Sequence, residues 1–300
     1  MDIVFVILHY IAQEETENSV KFIEENVDTP NYHIVIVDNA SPNKSGEILK
    51  KIYAENTKIT VILNSQNLGF ARGNNIGFQY AKKNLSPKYL VIMNNDVYLL
   101  EKNLKEKLDN EFKRSEFFVL GPMILTRDGR CDSNPSNPFF KNVEEIDIQI
   151  KAFQKKLKEY KSKRAMLFAK VVSLYNTCVR RFKPIRKERK DFIYRTEDVK
   201  LHGCFLVFSY KYLNEFEGLD ESTFLYCEEE FLYKHMLENK KVMVYVPDIV
   251  VYHKEDAATD MIYNNSKKKG EFFCINNIDS LRKLRDLYLY YDSINRGEKR

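Results

Sequence analysis

The chain has no tryptophan, and its 300 residues include only ten glycines, eight prolines and five cysteines. So few glycines, without a repeating spacing, exclude a collagen-like chain. The cysteines (Cys131, Cys178, Cys204, Cys227 and Cys274) are odd in number, and none stands in a C-x-x-C pair. Neither a disulfide framework nor a cysteine-zinc site is indicated, and reduced, mostly packed thiols are expected. No basic leader precedes the first apolar run, a strand pattern begins almost at Met1, and no stretch of about eighteen uncharged apolar residues could cross a bilayer. These absences predict a cytoplasmic protein.

What is present is a globular composition, 44% hydrophobic and 30% charged, enough for one large core or two modest ones. A coiled coil or a wholly disordered chain is excluded. The net charge of +5 conceals a segregation, because residues 151–190 carry fifteen Lys and Arg against only Glu159 and Glu188. The remainder is slightly acidic. One strongly basic segment on such a body predicts a dock for something anionic, phospholipid or nucleic acid.

The first hundred residues alternate strand and helix patterns, which predicts a largely parallel sheet with helices on its faces. Strands are expected at Ile3–His9, His33–Val37, Ile59–Leu63 and Tyr89–Met93, with helices at about Glu15–Asn26, Ser45–Ala54 and Gly73–Lys83. After Gly121-Pro122 the pattern weakens, and Asp132–Pro138 reads as an irregular connection. Within the basic segment, Leu167, Val171, Leu174, Tyr175, Cys178 and Phe182 fall at helical spacing. Sheet character returns at Cys204–Ser209 and Val242–Val246, and a helix is expected over about Ser266–Tyr291. There is no internal repeat.

Four polar clusters stand at expected strand ends, where ligands of open α/β sheets bind. Asp38 leaves a buried strand and could accept hydrogen bonds from a nucleobase or ribose, or serve as a turn aspartate. Asn67-Leu68-Gly69-Phe70-Ala71-Arg72-Gly73-Asn74-Asn75-Ile76-Gly77 allows close backbone approach at the start of a helix, which suits a phosphate or nucleoside. It is neither a Walker loop nor a dinucleotide fingerprint. Asn94-Asn95-Asp96 offers oxygen ligands suited to Mg²⁺ or Mn²⁺ shared with a diphosphate, or an ordinary Asn-Asp turn. Glu228-Glu229-Glu230 crowds three carboxylates, one of which could titrate as a general base, although acidic residues also favour helix starts. His253 ends a later strand.

These motifs, in this order and together with Gly203-Cys204-Phe205-Leu206 and Gly218-Leu219-Asp220-Glu221, closely resemble family 2 glycosyltransferases of the GT-A fold. The likeness is strongest to the rhamnosyltransferase-like branch that builds bacterial capsule and O-antigen polysaccharide, and it covers roughly residues 1–125 and 200–256. The resemblance implies an α/β GT-A fold with a mostly parallel central sheet, and outside the stretches it covers charge and periodicity add a basic helical insertion and a helical tail. It divides the chain into a nucleotide-sugar half (1–125), an insertion (126–200), an acceptor and catalytic half (201–256) and the tail (257–300). It implies inverting transfer from a nucleotide-diphosphate sugar to an acceptor hydroxyl, with Asp38 on the nucleobase and Asn74 by the nucleoside. Asn39, Asn67, Gly69, Arg72, Asn95 and Gly203 would also line the donor. Asp96, last in the family's Asp-x-Asp motif with Asn94 in its first position, would bind Mg²⁺ or Mn²⁺, and His253 would close that site. The base would be Glu229, with Glu228 and Glu230 as neighbouring alternatives.

The resemblance also implies a glycan acceptor on a polyprenyl diphosphate, and thus a peripheral position on the inner face of the cell membrane, held by the cationic segment. Two competing readings are a nucleic-acid-binding protein acting through residues 151–190, which leaves the acidic clusters without a role, and a glycosyltransferase-like domain without catalysis. A nucleotidyltransferase is disfavoured because His9-Tyr10-Ile11-Ala12 carries no glycine-rich signature. The tail from Phe272 to Tyr291 could form an oligomer contact, a second membrane contact or a helix on the acceptor side.

Overall fold

The computed structural model describes residues 1–131, 133–161, 191–254 and 266–297. They fall into two compact units, residues 1–139 with 191–262 and residues 140–190 with 263–300. In chain order the elements are β1 (Ile3–His9), α1 (Gln13–Asn26), β2 (Tyr32–Asp38), α2 (Ser45–Ile52), β3 (Ile59–Leu63), α3 (Phe70–Asn84), β4 (Tyr89–Asn94), β5 (Val97–Leu99), α4 (Leu104–Ser115), β6 (Val119–Thr126) and α5 (Val143–Lys161). After these come β7 (Thr196–Glu197), β8 (Phe205–Ser209), α6 (Tyr210–Glu215), α7 (Glu228–Glu238), β9 (Met243–His253) and α8 (Ser266–Asn295).

The first unit is built on a nine-stranded sheet ordered β3-β2-β1-β4-β8-β6-β9-β5, with β7 paired to β9. Strands β1 to β4 are parallel to one another, as the alternation of strands and helices predicts. Beyond β4 the sheet is mixed: β8 runs antiparallel to β4 and β6, while β9 is parallel to β6 and antiparallel to β5. The apolar runs of β1 and β2 are buried along almost their whole length because both faces are covered. Ile3, Phe5, Ile7, Ile34 and Ile36 pack with Val20 and Ile23 of α1, Leu49 of α2 and Leu104 and Leu108 of α4. Val4, Val6, Val35 and Val37 face the other way, onto Ala71, Phe78 and Ala81 of α3 and Leu232 and Met236 of α7.

Several boundaries differ from the sequence pattern, most by a residue or two, and three have a clear cause or consequence. Helix α3 starts at Phe70 rather than Gly73, because Gly69 adopts φ +82° and lets the carbonyl of Phe224 approach where a side chain would otherwise stand. Helix α2 stops at Ile52. Strand β9 continues past Val246 to His253, with a register shift opposite Pro122 and Met123 that turns its far end towards β5.

The second unit, within the described residues, is an antiparallel pair formed by α5 and α8. Asp147 pairs with Arg285 at 2.8 Å, Phe153 stacks edge-on against Phe273, and the Tyr160 ring occupies the space beside Gly270. Tyr288 donates its hydroxyl to the carbonyl of Phe140 at 3.0 Å. The tail and part of the insertion thus share one compact unit. The amphipathic stripe from Leu167 to Phe182 lies outside the described residues.

Candidate active site

Register brings the first three clusters to one edge of the sheet. His9 at the end of β1 pairs with Asp38 at the end of β2, and Leu8 pairs with Asn94 at the end of β4. Strand β8 runs the opposite way, so its beginning meets the end of β4: Met93 pairs with Phe205, and the Asn94 amide donates to the carbonyl of Cys204 at 2.9 Å. Residues 202–204 thus enter the same edge from a distant part of the chain.

At the end of β2, Asp38 is 6% exposed and accepts the Ser41 amide at 3.2 Å and the Ser41 hydroxyl at 2.5 Å. This is the turn role that the sequence left open beside ligand binding. Gly46 in the first turn of α2 lies so close that any side chain there would collide with the carboxylate. His9 beneath it is fully buried, with Nδ1 against Thr16 Oγ1 and Nε2 against Ser45 Oγ, both at 2.7 Å. Burial lowers its pKa to about 4, so the imidazole is neutral near pH 7.

The asparagines expected around the donor divide into different roles. Asn39 donates to Asn67 Oδ1 and to the Gly69 carbonyl, both at 3.0 Å, and accepts the Leu68 amide at 2.9 Å. It shapes the loop that carries Asn67 and Gly69. Asn95 donates to Thr16 Oγ1 at 3.1 Å and to the Ala12 carbonyl at 3.3 Å, and its carbonyl accepts the Ser19 hydroxyl. That amide is directed to α1 rather than to the sheet edge. Asn74 is fully buried, and its Oδ1 has no hydrogen-bond partner. Arg72 is exposed and donates Nε to the Glu221 carbonyl at 3.0 Å. The amide of Phe70, the first residue of α3, is bonded to Phe224 O at 2.9 Å.

Asp96 and His253 meet because β5 pairs with the end of β9, with Val97 opposite His253. Nε2 of His253 lies 3.3 Å from Oδ1 of Asp96. Burial disfavours charge on this imidazole, yet hydrogen bonds to Asp96 and Cys204 outweigh it and raise the pKa to about 10. Burial likewise opposes ionisation of the Cys204 thiol, and the adjacent His202 and His253 offset it to bring the pKa down to about 7. Among the described residues no three His, Cys, Asp or Glu side chains converge to cage a metal. The Asp96 carboxylate fits Mg²⁺ or Mn²⁺ that draws its other ligands from a diphosphate and water, and His253 would join it only as the ion displaces the imidazole's proton.

The acidic cluster forms the first turn of α7 and is delivered by two consecutive left-handed residues, Tyr226 (φ +73°) and Cys227 (φ +70°). Neither is glycine, so this turn holds backbone strain of the kind found at functional sites. The three carboxylates are not equivalent. Glu230 is 1% exposed and is tied to the buried ammonium of Lys200 at 2.5 Å and to the Phe139 amide at 3.0 Å. Glu228 is pushed up to about 8 by burial first and by Glu229 second, and its Oε1 has no partner. Glu229 accepts the Gly203 amide on Oε1 at 3.0 Å. A methyl group at residue 203 would stand 2.9 Å from that oxygen.

Three participants carried no assignment in the sequence. His202 accepts the Cys204 amide on Nδ1 at 3.2 Å, and its ring lies 5.9 Å from that of His253. Lys200 neutralises Glu230. Asn75 bonds both the amide and the carbonyl of Leu219 at 2.8 Å, holding the loop that precedes the acidic turn against α3. The place of Asn75 inside the singled-out run Asn67–Gly77, and of His202 one residue before Gly203, were the available signals, whereas Lys200 has none without the fold.

Comparisons with known proteins bear on the fold and the family. A low-salt glycan biosynthesis hexosyltransferase of Haloferax volcanii is 25% identical over 128 residues, which cover 43% of this chain and 38% of that protein. The S. aureus TarS structure in complex with UDP superposes with a TM-score of 0.52 at 12% identity, over 85% of this chain and 60% of that one. GalNAc-T7 with UDP, GalNAc and Mn²⁺ gives 0.56 at 13% identity, over 91% of this chain and 47% of that one. The chain spans less than two thirds of each of these relatives, and at such identities the structural likeness is one of fold, that of GT-A glycosyltransferases. The sequence profile of glycosyl transferase family 2 matches residues 4–212, more than half of the protein, and the chain therefore belongs to that family.

Proposed function

We propose that the protein is an inverting glycosyltransferase that moves a sugar from a nucleotide-diphosphate donor to a hydroxyl of a glycan acceptor. The observation that carries this reading is the continuous run of contacts from Asp96 through His253 and Cys204 to Gly203 and Glu229. It sets a diphosphate-side carboxylate and a candidate base on either side of one short backbone segment. Glu229 is the base, because Glu230 is neutralised by Lys200 and Glu228 retains its proton near pH 7. With Oε1 fixed by Gly203, Oε2 takes the proton from the acceptor hydroxyl. The acceptor oxygen bonds the anomeric carbon as the bond to the diphosphate oxygen breaks, and the electron pair leaves with the nucleoside diphosphate. A single displacement inverts the configuration. Asp96 and His253 would hold Mg²⁺ or Mn²⁺, which when bound neutralises charge on the leaving group. Asp38 and Asn74 lie on the nucleotide side, and Asn39 and Asn95 support that wall from within.

The order of motifs supports the rhamnosyltransferase-like branch, and thus bacterial capsule or O-antigen synthesis on a polyprenyl-diphosphate-linked acceptor. Among the described residues no helix is long and apolar enough to cross a membrane. The charge of residues 151–190 supports attachment to the anionic inner face instead. Thermal-shift measurement with uridine, deoxythymidine and guanosine diphosphate sugars, each with and without Mn²⁺, tests the donor site. A metal-dependent rise with one nucleotide class is expected, and no rise with any of them would overturn the reading. Recovery of the protein with anionic but not neutral vesicles tests the attachment.

A further inference from the structure

Residues 200–203 touch the acidic turn at two points. The Lys200 ammonium meets Oε1 of Glu230 at 2.5 Å, and three residues later the Gly203 amide donates to Oε1 of Glu229 at 3.0 Å. One short backbone segment is thus fastened to two successive residues of one helical turn. The segment is itself fixed from behind. The Ser136 amide donates to the carbonyl of Lys200 at 3.0 Å, and the His202 amide donates at 3.1 Å to Asn134, which in turn donates to the Pro122 carbonyl of β6 at 2.7 Å.

The Lys200–Glu230 pair is not a surface ion pair. The two side chains are 4% and 2% exposed, and the Phe139 amide also donates to Oε1 of Glu230 at 3.0 Å. Oε2 of Glu230 has no hydrogen-bond partner among the described residues. Removing one partner would strand a buried charge, whereas removing both together need not destabilise a fold, so stability alone gives little reason for charges here. Orientation gives a better one. Tyr226 and Cys227, which lead into the turn, both adopt left-handed backbone, and a strained helix start keeps one orientation only where its surroundings fix it.

We propose that Lys200 is a positioning residue: its ammonium and the Gly203 amide form a two-point clamp that sets the rotation of the first turn of α7 and so the direction of the Glu229 carboxylate. A single contact would leave the turn free to swivel about it. This role rests on the glycosyltransferase reading above, in which Glu229 is the base, and Lys200 acts through Glu230 rather than on the substrate.

Lys200→Met alone would strand the Glu230 carboxylate, so the informative variant combines Lys200→Met with Glu230→Gln, which removes both charges and keeps an acceptor for the Phe139 amide. The wild type, this double variant and Glu229→Gln are compared by melting temperature, by hydrogen–deuterium exchange at the Gly203 amide, and by release of nucleoside diphosphate from UDP-, dTDP- and GDP-sugars with Mn²⁺, water standing in for the acceptor hydroxyl. In the double variant the melting temperature should stay near that of the wild type, and the Gly203 amide should exchange about tenfold faster or more while β1 is unchanged. Its kcat should fall about tenfold or more at an unchanged donor KM. Either exchange or kcat within about twofold of the wild type would overturn the role. Faster exchange that extends through β1 to β4 with a lowered melting temperature would do so too, since the pair would then only hold the fold together. No donor cleaved by the wild type, or equal cleavage by Glu229→Gln, would instead count against the reading beneath, and exchange at Gly203 would then decide the clamp by itself.

Discussion

The amide of Gly203 donates to Oε1 of Glu229 at 3.0 Å, and there is no room between the two for a methyl group. Gly203→Ala is thus expected to displace the carboxylate without disturbing the sheet. Turnover should fall about a hundredfold, with donor KM and melting temperature little changed, because a small misplacement of a catalytic group has large kinetic effects. Steady-state kinetics with the donor found by thermal shift would check it, and turnover near the wild-type value would remove Glu229 from its proposed position.

Glu229→Gln keeps the hydrogen bond to Gly203 and removes the proton acceptor. Transfer should drop by about two to four orders of magnitude while calorimetric affinity for the donor nucleotide is retained. Near-native turnover would exclude the assignment.

Asp96→Ala leaves His253 without its carboxylate. Nucleotide affinity measured with Mn²⁺ should fall to the level measured with a chelator present, and affinity that still rises with Mn²⁺ would place the ion elsewhere.

Glu228 has its pKa raised from 4.5 to about 8 by burial and the neighbouring Glu229. Between those values the folded chain holds a proton that the unfolded chain has released, so this group's contribution is present below pH 4.5 and is lost as pH rises through about 8. Glu228→Gln should therefore raise the melting temperature at pH 8 to 9 and leave it nearly unchanged at pH 5. An equal effect at both would show that the carboxyl is not held protonated.

His9 behaves oppositely, since burial lowers its pKa from 6.5 to about 4. The unfolded chain takes up a proton first, so the stability linked to this group is present above pH 6.5 and is lost as pH falls through about 4. Urea midpoints for the wild type should fall more steeply across that window than those for His9→Gln. Parallel slopes would refute the lowered pKa.

The parallel half of the fold was legible because its strands are apolar runs and each ends in a polar cluster; Ile59–Leu63 agrees residue for residue. The start of α3 was not, since the displacement to Phe70 depends on a carbonyl 154 positions away at Phe224 docking against Gly69. The far end of β9 was missed for a related reason. Pro247 and Asp248 interrupt the apolar run, and only pairing with β6 and β5 carries the strand through them. At the site, the sequence placed Asp96, His253 and Glu229 as separate strand-end residues, and the structure adds what joins them. It also separates three adjacent glutamates, through a lysine thirty residues upstream whose pairing no local pattern announces.

The pairing of β5 with β9 has a consequence in time. Asp96 is synthesised 157 residues before the histidine that faces it, and Glu229 lies between them. The β1–β4 half can fold on local parallel pairings as it leaves the ribosome, but β8 must enter between β4 and β6, and β9 beside β5, before any of these groups meet. A nascent or truncated chain ending short of β9 would display the Asp38 edge of the sheet with nothing opposite it, so the groups of the proposed site come together late and all at once.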